Sequence, residues 1–118
     1  MSFTTYINEI EKNEVLSYSA QKDLVCRMRK EDGDEKDKEQ ARERLIVTNL
    51  RIPLKVAYNF VRKRPRNTDL DDLVGEGNLG LIRATDDFDP KKVRFSTYAF
   101  KVTKSYIGAA LFGEVKSS

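Results

Sequence analysis

Apolar residues recur every three or four positions along most of the chain, and this spacing is typical of amphipathic helices. Few stretches alternate apolar and polar residues in the way that a half-buried strand does. The spacing predicts helices over about residues 4–12, 20–30, 37–62, 69–87 and 96–112. The predicted fold class is therefore all-α, a compact multi-helix domain.

Pro53 lies inside the longest predicted helix, 37–62. Because proline has no backbone N–H, it cannot donate to the carbonyl of Asn49, and we expect a kink with a free carbonyl there. Ser19 is expected to cap the second predicted helix.

The predicted helix 69–87 has an apolar side and an acidic side. The apolar side is the expected core side, and it consists of Leu70, Leu73, Val74, Gly77, Leu81, Ala84 and Phe88. Gly77 and Gly80 indicate close helix packing, because a helical glycine costs about 1 kcal/mol of helix propensity. The acidic side also carries Leu79 and Ile82. These two are either scattered surface residues or the apolar centre of a docking surface.

The predicted helix 96–112 places aromatic and basic residues together on its polar side, where Tyr98 lies near Lys101, Lys104 and Ser105. Rings that stack on bases and ammonium groups that follow phosphates form a platform for single-stranded nucleic acid. The alternative is that Tyr98 packs against another element of the protein and leaves its hydroxyl in water.

Charge is strongly segregated along the 118 residues, although the net charge is only +3. Residues 69–87 carry six acids and one base, whereas residues 88–113 carry five bases and one acid. Residues 51–68 carry six bases and no acid. Adjacent surfaces of opposite sign indicate two different partners, a basic protein for the acidic surface and nucleic acid for the basic one.

The residue types present exclude several kinds of chemistry. The chain has one cysteine, Cys26, and no histidine, which excludes an internal disulfide, zinc sites and Ser/His or Cys/His catalysis. We therefore expect no catalytic residues, no metal, no cofactor and no enzymatic activity. No apolar run reaches the roughly 18 residues of a membrane span, and the N-terminus is too acidic for a signal peptide. A cytoplasmic protein without membrane contact is expected.

Four segments, in this order, resemble a bacterial sigma factor of the sigma-70 type. Residues 6–33 resemble the segment called region 1.2, and residues 41–52 resemble the start of region 2. Residues 72–84 resemble the polymerase-docking segment, and residues 88–99 resemble the promoter-melting segment. The resemblance implies a single helical domain over residues 1–118, with a region 1.2-like part at about 3–33 and a region 2-like part at about 37–112.

The resemblance implies that the partners are core RNA polymerase and promoter DNA, especially the single-stranded non-template strand. In the family, the acidic helix binds the coiled coil of the largest catalytic polymerase subunit. The matching positions are Asp72, Glu76, Asn78 and Ile82, and Leu79 belongs to the same predicted surface.

In the family, the aromatic residue after Ser-Thr stacks on a flipped adenine of the promoter minus-ten element. This role falls on Tyr98, and the segment Asn49–Arg51 is implied to hold the unpaired strand. With the basic residues added, the predicted DNA-binding set is Asn49, Arg51, Arg62, Lys63, Arg64, Arg94, Ser96, Thr97, Tyr98, Lys101, Lys104 and Ser105.

The chain departs from the family pattern at several of these positions. It has Gly75 where a glutamine is usual, and Lys101 and Val102 where primary members carry paired tryptophans. The sequence therefore predicts an initiation factor module that binds core polymerase and captures the melted non-template strand. The alternative is a sigma-like decoy that binds polymerase without initiating transcription. A second protein could supply the upstream promoter contacts, or the module could belong to a longer chain.

Overall fold

Six α-helices form the secondary structure of the described residues, 2–63 and 68–113, in the computed structural model. They are α1 (Phe3–Lys12), α2 (Tyr18–Met28), α3 (Glu35–Val47), α4 (Arg51–Lys63), α5 (Leu70–Asp87) and α6 (Phe95–Phe112). The all-α prediction is confirmed, and four of the five predicted helices begin and end within two residues of the observed bounds. None of the helices in the described ranges is long and apolar enough to cross a bilayer.

Short polar side chains begin the first three helices. Ser2, Ser17 and Asp34 each accept a hydrogen bond from the backbone N–H three residues further along. Each bond satisfies an N–H that has no acceptor inside its own helix. The predicted cap of α2 at Ser19 was wrong, because Ser17 takes that position and the helix begins at Tyr18.

The predicted long helix 37–62 is instead two helices, α3 and α4, separated by a turn at residues 48–50. Side chains at this turn compete for the last carbonyls of α3. The Thr48 hydroxyl donates to the Arg44 carbonyl at 2.7 Å, and Asn49 Nδ2 donates to the Leu45 carbonyl at 2.7 Å. Threonine and asparagine side chains that bond nearby backbone in this way end helices, so the single helix was a wrong prediction.

Pro53 does not kink a helix, because it is the third residue of α4. The first four N–H groups of a helix have no intrahelical acceptor, so proline costs no hydrogen bond there. The Asn49 carbonyl, which was expected to be free, accepts from the Ile52 N–H at 3.0 Å. Pro53 is also fully buried, so it belongs to the core.

Helix α5 packs against both α4 and α6 through two glycines. A Cβ atom at Gly77 would lie 2.9 Å from Pro53 Cβ and 3.0 Å from Ile107 Cδ1. A Cβ atom at Gly80 would lie 3.1 Å from Thr103 Cα. The close packing predicted from these glycines is confirmed. It brings α5 into the centre of a core whose largest fully buried side chains are Ile10, Leu45, Val56, Leu81, Thr85, Thr103 and Ile107.

We expect Gly77→Ala to lower the free energy of unfolding by about 1–3 kcal/mol, because the added methyl group overpacks the contact with Pro53. Gly75→Ala is the matched control, since nothing lies within 4 Å of a Cβ atom at that position. The control should raise the free energy of unfolding by up to about 1 kcal/mol through helix propensity alone. Urea denaturation measures both. Equal effects of the two substitutions would contradict the packing role of Gly77.

Candidate functional site

The acidic face of α5, defined here by Asp72, Glu76, Leu79 and Ile82, carries most of the predicted polymerase-binding residues. These positions recur at helical spacing and share one side of the helix. Leu79 is 52% exposed and Ile82 is 37% exposed, while Asp72 is exposed and Glu76 is half-buried. Two large aliphatic side chains therefore stand in solvent beside carboxylates.

Negative charge is concentrated at the start of α5. The carboxylates of Asp69, Asp71 and Asp72 lie within 4.8 Å of one another and are all exposed. A hydrogen bond with Asp69, together with the repulsion between their charges, raises the pKa of the Asp71 carboxyl above its usual range. The cluster lies at a helix N-terminus, where the helix dipole stabilises negative charge. Its field is suited to a basic partner.

The acids at the other end of α5 are bound within the protein. Asp86 accepts two hydrogen bonds from the Arg42 guanidinium, at 2.9 and 3.0 Å. Those bonds lower the pKa of Asp86 below its usual range. Asp87 pairs with Arg83 one turn earlier. The acidic surface that remains available is therefore shorter than the sequence pattern indicates.

Asn78, another predicted polymerase-binding residue, contacts α1. Its Nδ2 atom donates to the Tyr6 hydroxyl at 3.0 Å, and its side chain is only partly exposed. Its Oδ1 atom is buried and has no hydrogen-bond partner within the described part of the chain. This contact joins residues 72 positions apart, and no local pattern in the sequence indicated it.

Tyr98 lies at a groove at the start of α6. The groove has a volume of about 410 Å³ and is lined by Asp87, Asp89, Lys92, Val93, Thr97, Tyr98 and Lys101. The Tyr98 ring is half-buried, with its centroid 6.2 Å from that of Phe88. The packing alternative for Tyr98 is thus realised on Phe88, while the same side chain also lines an open groove. The structure brings together three predicted DNA-binding residues here, Thr97, Tyr98 and Lys101.

The lining residues that were not among the predicted site residues include Asp89 and Lys92. The signal that could have found them is their place in the short loop between α5 and α6, next to the Ser-Thr-Tyr segment. Asp89 shapes this loop, since its side chain accepts a hydrogen bond from the Lys91 N–H at 2.9 Å.

Arg94 and Ser96 line a smaller cavity of about 170 Å³ between α2 and the start of α6. The Arg94 guanidinium lies 4.4 Å from the centroid of the Tyr18 ring. A cation over an aromatic face at this distance is a favourable contact. To bind a phosphate as predicted, Arg94 would therefore either leave the Tyr18 ring or bind the phosphate while it stays on the ring.

A basic groove lies between α4 and α6. It has a volume of about 360 Å³ and is lined by Val56, Asn59, Phe60, Arg62, Lys63 and Lys104. The fold thus unites predicted DNA-binding residues that are about 40 positions apart in sequence. Ser105, the next residue of α6, is half-buried. Arg64 lies outside the described residues.

Asn49 and Arg51 make contacts inside the fold. Asn49 is 8% exposed and its amide is bound to the end of α3. The Arg51 guanidinium donates to the carbonyls of Ile10, Glu11 and Asn13 at the end of α1. The strand contact of these two residues stays a prediction, and both already have a structural role.

Comparisons with known proteins place the chain among bacterial transcription proteins. Residues 45–111 match the family model described as Sigma-70 region 2. The chain is 34% identical over 107 residues to the RNA polymerase sigma-C factor of Myxococcus xanthus, a match that covers 90% of this chain and 33% of that protein. It is 34% identical over 113 residues to RNA polymerase sigma factor RpoS of Coxiella burnetii, with 95% and 30% covered.

A third relative is RNA polymerase sigma factor SigA of Clostridium acetobutylicum, 41% identical over 95 residues, with 80% of this chain and 23% of that protein covered. The chain therefore spans no more than about a third of the length of these curated relatives. The family model begins at residue 45, so the region 1.2-like part at about 3–33 lies outside it.

Proposed function

The chain belongs to the sigma-70 family through its region 2, and on this premise we propose that it is a transcription initiation factor module. In this proposal, the acidic face of α5 binds core RNA polymerase, and the start of α6 captures the melted non-template strand of the promoter. The observation that carries the proposal is that one tightly packed helix pair presents an acidic, apolar-centred face on α5 and, at the start of α6, a groove in which Tyr98 lies beside Lys92 and Lys101.

Docking through α5 is supported by the arrangement of charge and apolar surface. Leu79 and Ile82 are exposed among carboxylates, and an apolar centre with a polar rim is typical of protein interfaces. The acids would attract a basic partner and orient it, while burial of the aliphatic pair would supply most of the affinity. The proposed partner is the coiled coil of the largest catalytic polymerase subunit.

Strand capture is supported by the position of Tyr98. The ring packs against Phe88 before any ligand binds, which reduces the side-chain freedom that is lost on binding. A base stacked on such a ring contributes about 1–3 kcal/mol, which offsets the stacking that it loses in the duplex. Lys92 and Lys101 at the same groove would bind the adjacent phosphates.

The basic groove between α4 and α6 is proposed to follow the DNA backbone, with Arg62, Lys63 and Lys104 at phosphates. The module supplies binding energy only, and the polymerase performs the phosphoryl transfer. The protein would accordingly work at the nucleoid together with polymerase. Upstream promoter contacts would come from other modules, on the same polypeptide or on a second protein.

A decoy that binds polymerase without initiating is the second candidate. It is favoured by Lys101, which is exposed at a position where the resemblance leads us to expect one of two tryptophans that brace the melted junction. Transcription from a template with a minus-ten element separates the two functions. A decoy would inhibit a resident sigma factor and yield no transcript of its own.

Asp72→Lys combined with Ile82→Ala should weaken binding to core polymerase at least about thirtyfold, because it reverses a rim charge and removes part of the apolar centre. The matched control is Glu43→Lys combined with Val47→Ala, an acid and an aliphatic residue that are both exposed on α3. Fluorescence anisotropy of labelled protein measures the affinity, and circular dichroism checks the fold. Normal binding by the α5 variant would place the interface elsewhere.

Tyr98→Leu should weaken binding of single-stranded minus-ten DNA to the polymerase complex by about 5–150-fold, which corresponds to one lost stacking contact of about 1–3 kcal/mol. Leucine keeps apolar bulk against Phe88, so the fold should remain intact. Tyr98→Phe should bind normally, because the ring face does the stacking. Tyr58→Leu, at a tyrosine that is 41% exposed on α4, is the control. Full affinity of Tyr98→Leu would exclude stacking at this ring.

The basic groove predicts a salt dependence. Replacing Arg62, Lys63 and Lys104 by alanine should reduce the slope of log K against log salt concentration by about 2, since each single-strand phosphate contact contributes about 0.7. The same change of charge at Lys12, Lys30 and Lys36, which are exposed on or near α1–α3, should leave the slope unchanged. DNA affinity of the polymerase complex at several salt concentrations gives both slopes. Equal slopes for the two triple variants would remove the groove from the DNA path.

A further inference from the structure

Helix α1 contacts α5 at Asn78, one of the residues that are proposed to dock on polymerase. Ser2, Phe3 and Tyr6 from the α1 end line a cavity of about 350 Å³ together with α5 residues. The α5 residues at this cavity are Asp71, Val74, Gly75 and Asn78. At helical spacing, positions 71, 75 and 78 continue to Ile82 along one stripe. This stripe borders the acidic face of α5, and α1 reaches it at Asn78, whereas Asp71 and Gly75 are exposed.

The N-terminal half of α1 is weakly bound to α5. Ile10 is the one fully buried residue of this helix, while Phe3, Tyr6 and Ile7 are partly buried. The hydrogen bond from Asn78 to Tyr6 is a polar contact between this half and α5. The cavity is open to solvent, so part of the apolar surface of α1 has no packing partner.

The Asn78 amide is incompletely satisfied while α1 is in place. Its nitrogen donates to Tyr6, but its Oδ1 atom is buried without a hydrogen-bond partner among residues 2–63 and 68–113. A buried acceptor without a donor is unfavourable, and either water or a donor on another molecule would relieve it. Displacement of α1 would expose this oxygen to an arginine or lysine of a basic partner.

The far end of α1 is anchored differently. The Arg51 guanidinium binds the carbonyls of Ile10, Glu11 and Asn13, and Asn13 Nδ2 donates to the Val47 carbonyl at 2.9 Å. Glu14 pairs with Arg44 just beyond the helix. The C-terminal end of α1 is thus fixed by several polar contacts, so the N-terminal half can move while the chain stays attached.

We propose that the N-terminal half of α1, residues 3–7, is an intramolecular competitor for the docking face of α5. In the free chain Tyr6 binds Asn78 at the edge of this face, and a docking polymerase displaces it while the Arg51 end stays in place. This inference rests on the proposed docking function. The affinity for polymerase is then reduced by the fraction of molecules in which α1 is closed, and weakening the closed contact raises the affinity.

Tyr6→Phe in the full chain tests the competition, because it removes the hydroxyl that Asn78 contacts and keeps the ring. Affinity for core polymerase should rise about three- to tenfold, the range that one hydrogen bond gives. Amides of residues 6–10 should exchange hydrogen faster in the free chain. Phe3→Ala should act in the same direction. Tyr58→Phe, which removes the hydroxyl of an exposed tyrosine on α4, should change neither quantity.

The outcomes separate the competition from the docking itself. Unchanged or weaker polymerase binding by Tyr6→Phe and Phe3→Ala would overturn the competition, and weaker binding would make α1 a part of the interface. Unchanged hydrogen exchange would show that the Tyr6 contact does not hold α1, which also overturns it. If neither the wild-type chain nor the variants bind polymerase, the docking function fails first.

Discussion

The close contact of α5 with its neighbours at Gly77 and Gly80 is the constraint on which the rest of the structure depends. Because neither residue has a side chain, Pro53 of α4 and Thr103 of α6 approach the α5 backbone directly. The core side of α5 is buried by these contacts and by the side chains of Leu73, Val74, Leu81 and Ala84. Leu79 and Ile82 lie outside these contacts, which is why they stand in solvent beside acids. The same contact fixes α6 and, through the packing of Phe88 against Phe95 at a centroid distance of 5.4 Å, the loop that precedes it. The proposed docking face and the groove at Tyr98 are thus two surfaces of one closely packed helix pair.

Arginines hold the remaining helices to this pair by binding backbone and carboxylates. Arg29 donates to the carbonyls of Thr85 and Phe88 at the end of α5, and Arg42 binds Asp86. Arg51 of α4 donates to the carbonyl of Asn13 at the end of α1. Cations at helix C-termini donate hydrogen bonds to carbonyls that have no N–H donor inside the helix. Their positive charge also interacts favourably with the negative end of the helix dipole. A basic residue in this chain is therefore not by itself a DNA contact. The exposed ones at grooves, Arg62, Lys63, Lys101 and Lys104, are the stronger candidates.

The proposed function and the proposed competition use the same feature of α5. The core side of α5 is buried, so its acidic and apolar surface is the part that remains available to bind a complementary element. In the proposed competition that element is α1, whose Tyr6 is hydrogen-bonded to Asn78 at the edge of this surface. A docking polymerase would replace this contact and bury Leu79 and Ile82, which are exposed in the free chain.

The sequence by itself determined the fold class, most helix bounds, the core side of α5 and the segregation of charge, because each follows from spacing within a few turns of chain. It also indicated the family, through short segments in order. The break at residues 48–50 was missed although its cause is local, since hydrophobic periodicity continued across Thr48 and Asn49 and outweighed their tendency to end a helix. Only the tertiary structure decided the contact partners of Asn78, Asn49, Arg51 and Arg94. It also placed Arg62 and Lys104 at one groove, and it placed Tyr98 both against Phe88 and at an open groove. These depend on contacts between residues far apart in sequence, and a spacing rule that reads one helix at a time contains no information about which other helix will lie against it.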